Sequence, residues 1–323
     1  MIVHEYFPLS AILYYRIGGI ARFVLEARSR DDILAAIEFV RGSKIDRLVV
    51  VGTGSNILFP DGLFDGAVLR IVAGGTRQIR ETGDSLVEAF AGESLDDVIS
   101  FGFESGYTGL EWAGGLPGTV GAAVRGNVGA FGGEVKDVLE RAEVLEIGRE
   151  GSTIRNLSRT ELGFSYRDSV VKRAGGLVVL SACFRLARAG AKELLRARQS
   201  YRSNVDYRWQ NHPMEHPSCG SVFKNIEKPE QVNRVLAVWP DAQQLIQSRW
   251  HGKVSVGYAI RRLGLSGYQV GGAQISPKHC NFIVNLGNAS FSDVHAIIEK
   301  VRDSFLRSFG FAPETEVEIV GHR

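Results

Sequence analysis

The stretch Gly109–Glu134 reads GLEWAGGLPGTVGAAVRGNVGAFGGE, with a glycine or alanine at almost every other position. The chain of 323 residues holds 38 glycines, a larger share of the residues than the roughly 7% of an average protein. The excess is concentrated in this stretch. Because glycine lacks a Cβ, such backbone approaches a ligand closely and turns several N–H groups toward it. The stretch favours a ligand-binding loop, and ordinary tight turns remain the alternative.

A second glycine loop, Val51–Asn56 (VGTGSN), follows a continuous apolar run that predicts a buried strand. In the first stretch, Pro117 followed by Gly118–Val120 is typical of the first turn of a helix, where N–H groups favour phosphate. Together the two loops predict a pyrophosphate site. Neither is a complete G-x-G-x-x-G fingerprint and no GxxxxGK[ST] occurs, which disfavours Rossmann and P-loop proteins.

Composition narrows the class of partner. The 38 basic and 36 acidic residues leave a formal charge of +2, and no block of like charge indicates a nucleic-acid or membrane surface. The first twenty residues do not read as a secretion signal, and the longest apolar run is too short to span a bilayer. The three cysteines are widely spaced and suggest neither disulfides nor a metal site. We expect a small-molecule partner and a cytoplasmic location.

Local patterns predict an α+β chain in three parts. Residues 1–71 carry strands and a helix capped by Ser29, and residues 72–188 carry short strands with a helix beginning near Ser94. Residues 189–323 begin with an arginine-rich helix and carry a helix between Ser290 and Gly310, which is followed by the alternating strand TEVEIVG.

Seven motifs in order carry a family resemblance over nearly the whole chain. They are VVGTGSNILF, the Gly109–Glu134 stretch, FSYRDS, PSCGSVFKN, GYQVGGAQIS, HCNFIVN and EVEIVG. The chain resembles the UDP-N-acetylenolpyruvoylglucosamine reductase family. The resemblance implies a two-part FAD-binding fold of the vanillyl-alcohol oxidase / p-cresol methylhydroxylase type, made by residues 1–71 and 72–188, with residues 189–323 as the substrate-binding domain.

The resemblance also explains the glycines. FAD carries a pyrophosphate and a flat ring, and the family wraps both with bare backbone. The flavin contacts implied for this chain are Gly52, Thr53, Gly54, Ser55, Asn56, Gly118, Thr119, Gly121, Ala122, Asn127 and Gly129.

The family reaction implies a second cofactor and a specific substrate. NADPH reduces the flavin, and hydride then passes to C3 of the enolpyruvyl group of UDP-N-acetylglucosamine-enolpyruvate while C2 receives a proton. The product is UDP-N-acetylmuramate, a peptidoglycan precursor.

Three residues match the chemical needs of that reaction. By the resemblance, Arg167 holds the charge that develops on the substrate carboxylate, Ser221 protonates C2, and Glu316 assists Arg167. Glu316 is either protonated or feeds the proton donor. From local sequence alone, Arg167 is expected to form a surface salt bridge with Asp168. Glu316 and Glu318 occupy the same face of one predicted strand, so their spacing does not distinguish them.

The resemblance implies substrate contacts from Tyr166, Lys224, Asn225 and His279, although a lone histidine is equally consistent with a structural role. Two other functions remain open. One is a flavin-dependent oxidase of the same fold, and the other is a non-catalytic flavin or nucleotide-sugar binding protein.

Overall fold

The computed structural model describes residues 1–149, 151–250 and 252–321. The chain forms two compact units. The first comprises residues 1–7, 21–53 and 64–210, and the second comprises residues 8–20, 54–63 and 211–323. The chain therefore passes from one unit to the other inside the loop VGTGSN.

Helices occur in both units. In chain order the α-helices of the described residues are α1 (Arg30–Gly42), α2 (Leu95–Glu104), α3 (Val120–Gly126), α4 (Val135–Val138), α5 (Val170–Arg173), α6 (Ala191–Asn211), α7 (Pro229–Val238), α8 (Gln243–Ser248), α9 (Val256–Arg262) and α10 (Phe291–Phe309). Short 3₁₀ turns lie at Leu9–Ala11, Glu111–Ala113 and Pro240–Ala242.

Most strands are short. In the same described ranges they are β1 (Ile2–Pro8), β2 (Ile20–Ala27), β3 (Leu48–Val51), β4 (Ile57–Leu58), β5 (Leu63–Ile71), β6 (Ile79–Gly83), β7 (Leu86–Phe90), β8 (Tyr107–Thr108), β9 (Gly129–Ala130), β10 (Gly133–Glu134), β11 (Leu139–Ile147), β12 (Ser152–Ser158), β13 (Leu177–Arg185), β14 (Ala187–Arg188), β15 (Ser218–Ser221), β16 (Gln269–Val270), β17 (Ala273–Ile275), β18 (Phe282–Asn285) and β19 (Glu318–Ile319).

Two sheets organise the first unit. One has the strand order β1-β2-β5-β3, with β3 and β5 parallel. The other has the order β12-β11-β13-β7-β6 and is antiparallel throughout. Buried residues of both sheets join α1, α2 and α3 in one apolar core. Helix α3, which comes from the glycine-rich stretch, is thereby fixed by packing.

The second unit contains an antiparallel sheet of order β15-β18-β17-β16 and the parallel pair β19-β4. Its core is formed by α7, α9 and the apolar face of α10 together with buried residues of this sheet. The Tyr15 hydroxyl, fully buried, donates a 2.7 Å hydrogen bond to the carbonyl oxygen of Ile283 in β18. This bond ties residues 8–20 into the second unit.

Local capping chemistry confirms the predicted helix ends. Ser29 and Ser94 accept hydrogen bonds from the third residue of α1 and α2, as an N-cap serine does. Ser290 and Asp293 form a reciprocal capping box at α10, and Gly310 ends that helix at φ 73°.

The boundaries between the two units differ from the boundaries of the three ranges expected from the sequence. Helix α6 begins just after residue 188, and it lies in the first unit up to residue 210. The assignment of 1–71 and 72–188 to FAD and of 189–323 to substrate stays a prediction. Across the described residues, no helix combines the length and apolarity that crossing a membrane requires.

Candidate functional site

The two glycine loops meet in the first unit. A Cβ added at Gly52 would lie 2.4 Å from the Thr119 side-chain oxygen, so only glycine allows this approach. Next to it, Thr53 has a buried Oγ1 that finds no hydrogen-bond partner among the described residues. A buried hydroxyl without a partner is costly, and a ligand oxygen would satisfy it. These features fit the phosphate part of FAD.

The start of helix α3 differs from the expected phosphate-binding turn. The helix begins at Val120, not at Pro117, and two of its first N–H groups already have partners. Val120 and Gly121 donate 2.8 Å hydrogen bonds to the carbonyl oxygens of Glu93 and Ala91. The expectation that this helix end offers its first N–H groups to phosphate is therefore wrong for these two residues. Contacts from Gly118, Thr119, Gly121 and Ala122 to flavin remain predictions.

Asn127 is the centre of a buried network. It is fully buried and takes the left-handed conformation (φ 42°) that ends α3. Its Nδ2 donates 2.9 Å bonds to the Glu134 carboxylate and to the Ser165 carbonyl, and its Oδ1 accepts from the Lys136 N–H at 3.0 Å. All polar atoms of the amide are thus used to hold the segment predicted to line the flavin.

Arg167 lies in a two-residue turn. Ser165 and Asp168 on either side exchange backbone hydrogen bonds of 3.1 and 3.2 Å. Arg167 itself has φ 57°, a conformation that L residues rarely adopt. Its Nη2 donates a 2.9 Å bond to the Gly129 carbonyl, and its guanidinium carbon is 5.3 Å from the centre of the Tyr166 ring. Residues predicted for flavin, substrate and catalysis therefore meet within the first unit.

The surface salt bridge considered for Arg167 has a different partner in the structure. The Asp168 carboxylate forms its ion pair with Arg173. Lys172 donates a 3.1 Å bond to the backbone carbonyl of Arg167, which adds support to the turn.

Ser221 is held by a second buried amide. It ends β15 and follows Gly220, whose φ of 71° suits glycine. Val222 donates a 2.8 Å bond to the carbonyl of Asn281, and the Asn281 side chain accepts from and donates to the backbone of Phe223 at 3.0 and 2.8 Å. Asn281 is buried, and its amide fixes the residues that follow the serine.

Glu316 lies beside this serine segment. Its N–H donates a 2.7 Å bond to the carbonyl oxygen of Val222, so Glu316 and Ser221 occupy adjoining segments of the second unit. The Asn56 Nδ2 donates a 3.2 Å bond to the Glu316 carbonyl, and the Asn56 carbonyl accepts the Glu318 N–H at 3.1 Å. The observed strand begins only at Glu318, so Glu316 precedes it.

Two predicted substrate residues already have protein partners. Lys224 Nζ is 3.4 Å from the Glu314 carboxylate, which also pairs with Lys228 at 2.7 Å. The hydrogen bond from Lys228 and the charge of Lys224 lower the pKa of Glu314 below its ordinary value. Asn225 accepts a 3.2 Å bond from the Val256 N–H at the start of α9. Their contacts with a sugar nucleotide remain predictions.

His279 belongs to an aromatic cluster in the second unit. Its ring centre is 5.1 Å from that of His212 and 4.8 Å from that of Phe282. Burial lowers the pKa of His279, which favours the neutral imidazole. Its Nδ1 is buried, and none of the residues that the structure describes forms a hydrogen bond with it.

Sequence reasoning missed two residues that support these segments. Glu134 binds Asn127 and pairs with Lys136 at 2.6 Å. Burial raises the pKa of Glu134, but the bonds from Lys136 and Asn127 outweigh it and lower the pKa overall. Asn281 is the other. Both residues lie inside quoted motifs, but their spacing gives no sign of their partners.

Comparisons with known proteins agree with this organisation. Residues 21–155 match the family described as "FAD binding domain". Residues 212–320 match "UDP-N-acetylenolpyruvoylglucosamine reductase, C-terminal domain". The expected α+β fold with an FAD-binding part and a C-terminal family domain is confirmed.

Relatives extend the agreement over the full length. A UDP-N-acetylenolpyruvoylglucosamine reductase of Caldicellulosiruptor saccharolyticus is 35% identical and covers 97% of this chain and 90% of its own. One from Halalkalibacterium halodurans is 37% identical over 85% of this chain and 80% of its own. The crystal structure of the Thermus caldophilus enzyme matches with a TM-score of 0.73 and 28% identity over 99% of both chains. This chain therefore belongs to the UDP-N-acetylenolpyruvoylglucosamine reductase family of FAD-containing oxidoreductases.

Proposed function

We propose that this protein reduces the enolpyruvyl group of UDP-N-acetylglucosamine-enolpyruvate to give UDP-N-acetylmuramate, with NADPH as the source of hydride. The observation that carries the proposal is the backbone hydrogen bond from Glu316 to Val222, which sets Glu316 beside the segment of the proposed proton donor, Ser221. When bound, FAD would supply the hydride chemistry between NADPH and C3 of the enolpyruvyl group.

The residues that would hold FAD are those of the two glycine loops and the Asn127 network. Gly52 permits the close approach of the loops, and the Thr53 hydroxyl is available to a ligand oxygen. Asn127 binds the Glu134 carboxylate and the Ser165 carbonyl, and Arg167 binds the Gly129 carbonyl. These residues would bind and orient the cofactor and would take no part in proton transfer.

Arg167 would stabilise the substrate carboxylate. Arginine stays protonated at all relevant pH values, and its planar fork matches a carboxylate. Negative charge grows on that carboxylate as C3 gains hydride, so a fixed cation lowers the barrier more than it strengthens ground-state binding. The bond to Gly129 and the turn around residue 167 would position the guanidinium before substrate arrives.

Ser221 would give its hydroxyl proton to C2. A serine hydroxyl is a weak acid, so it needs a path by which its proton is replaced. Glu316, in the adjoining segment, is the group we propose for that replacement and for assisting Arg167. Lys224, Asn225 and His279 would contact the uridine diphosphate portion, and Tyr166 would lie beside it.

The cytoplasm is the proposed location. Cys183, Cys219 and Cys280 are buried free thiols in the described chain, as expected in a reducing compartment. The cytoplasm also supplies NADPH.

A colour experiment tests the function. The purified protein should be yellow, NADPH should bleach it without air, and the enolpyruvyl sugar nucleotide should restore the colour under the same anaerobic conditions. Bleaching by an alcohol instead would indicate an oxidase. A yellow protein that NADPH does not bleach would indicate a binding protein.

A further inference from the structure

Arg208 is a buried cation in the first unit that the proposed reaction does not use. Only 7% of the residue is exposed, whereas Arg202 on the same helix α6 is exposed. The Arg208 Nε donates a 2.9 Å hydrogen bond to the carbonyl oxygen of Gly114. Its Nη2 is buried and has no hydrogen-bond partner within the described residues.

The charge of Arg208 is only partly compensated. Burial lowers the pKa of Arg208 to about 10, and the charge of Asp96 opposes this shift. The guanidinium therefore remains protonated at neutral pH. In the described ranges no carboxylate forms an ion pair with it, although a buried cation ordinarily has one. The protein thus keeps a positive charge in a place where an anion would be stabilised.

The surroundings of Arg208 connect it to the glycine-rich stretch. A Cβ at Gly115 would lie 3.4 Å from the Arg208 Cδ, so the arginine side chain runs directly beside this glycine. On another side, the guanidinium carbon is 5.0 Å from the centre of the Phe131 ring. Phe131 is 45% exposed and has φ 49°, a strained value for a phenylalanine. Arg208 is therefore enclosed by the loop and by an aromatic side chain at its tip.

We propose that Arg208 is the counter-charge for the pyrophosphate of bound FAD. The loop that it contacts at Gly114 leads directly into Gly118 and Thr119, the positions expected to approach the pyrophosphate. In a partly buried setting a charge acts across several ångströms, so Arg208 favours an anion on this loop even where another group separates the two. Binding of the anion supplies the charge that the Arg208 site lacks.

The substrate is the competing source of negative charge, because it carries a carboxylate and a diphosphate. Riboflavin separates the two sources, since it has the flavin ring but no phosphate. If the charge that Arg208 balances lies on the cofactor, loss of Arg208 should weaken the binding of FAD and leave the binding of riboflavin unchanged. If that charge lies on the substrate, both flavins should bind normally after Arg208 is lost.

The experiment measures the Kd of the apo-protein for FAD and for riboflavin by flavin fluorescence, in the wild type and in Arg208→Gln. We expect a loss of about 10- to 100-fold for FAD, the range for a hydrogen bond or close interaction with a charged group, and less than a threefold change for riboflavin. Arg202→Gln removes an exposed cation from the same helix and should leave both Kd values unchanged.

Equal weakening of FAD and riboflavin would overturn the proposal, because it would assign Arg208 to loop structure alone. Unchanged FAD binding with a raised KM for the sugar nucleotide would also overturn it. If Arg208→Gln does not fold, inorganic pyrophosphate serves as the probe: it should compete with FAD for the wild type and for the charge-retaining Arg208→Lys, and failure to compete would refute the idea. The inference rests on FAD as the cofactor, and failure of the wild type to bind FAD would instead refute the proposed function.

Discussion

The N–H of Glu316 donates a 2.7 Å hydrogen bond to the carbonyl oxygen of Val222, the residue immediately after Ser221. This bond and the amide of Asn281, which binds the backbone of Phe223, fix the segment that follows Ser221. The serine and the glutamate lie almost a hundred residues apart in the sequence. Their proximity therefore depends on the core of the second unit.

Glu316 and Glu318 can be distinguished by a matched pair of substitutions. Glu316→Gln keeps the size of the side chain but cannot supply a proton, so we expect at least a tenfold slower reduction of the enolpyruvyl group. Glu318→Gln should change the rate by less than about twofold, since its residue begins the strand beyond the serine segment. Single-turnover rates measure both. Equally slow reduction by the two variants would contradict a special role for Glu316.

Arg167 combines catalysis with backbone strain. Its φ of 57° costs an L residue about 1–2 kcal/mol relative to glycine. We expect the free energy of unfolding of Arg167→Gly to be about 1 kcal/mol higher than that of Arg167→Ala. Both variants lack the guanidinium, so both should reduce the substrate slowly. Urea unfolding and single-turnover kinetics test the two parts separately. Equal stability of the two variants would show that the turn relaxes without strain.

Local chemistry made the helix ends predictable from sequence. Serine at an N-cap and glycine at a C-terminal end act through their own few neighbours, so Ser29, Ser94, Ser290 and Gly310 could all be identified in advance. The glycine loops were also identifiable, because the close approach of the Thr119 side chain leaves no space for a Cβ at Gly52.

Features that depend on distant partners could not be predicted. The first N–H groups of α3 bind carbonyls of Ala91 and Glu93, about thirty residues earlier, and nothing in the Pro117 turn indicates that. Arg208 lies in a helix whose three other arginines are exposed, whereas Arg208 is buried beside Gly114 and Gly115. Burial of a charged residue is decided by the tertiary fold, which residue spacing does not encode.

His279 should make stability depend on pH. Burial lowers its pKa in the folded protein, so the unfolded chain, with an ordinary histidine pKa of about 6.5, binds the proton more readily. The free energy of unfolding should therefore fall as the pH is lowered below about 6.5, and it should be fully retained above that value. His279→Gln should reduce this dependence.

Urea unfolding between about pH 5.5 and 8 measures the effect. His216→Gln, which removes an exposed histidine of the same unit, is the control and should follow the wild-type curve. Parallel curves for the wild type and His279→Gln would show that His279 does not contribute.

The central claim is that Ser221 donates the proton to C2 after NADPH has reduced the protein. Anaerobic stopped-flow absorbance of Ser221→Ala measures the two half-reactions separately. We predict a wild-type rate of bleaching by NADPH and a reoxidation by the enolpyruvyl sugar nucleotide that is slower by about 10² to 10⁴-fold, the typical contribution of a general acid. Ser218→Ala, on the same strand, should reoxidise nearly as the wild type does. Reoxidation of Ser221→Ala at the wild-type rate would contradict the account.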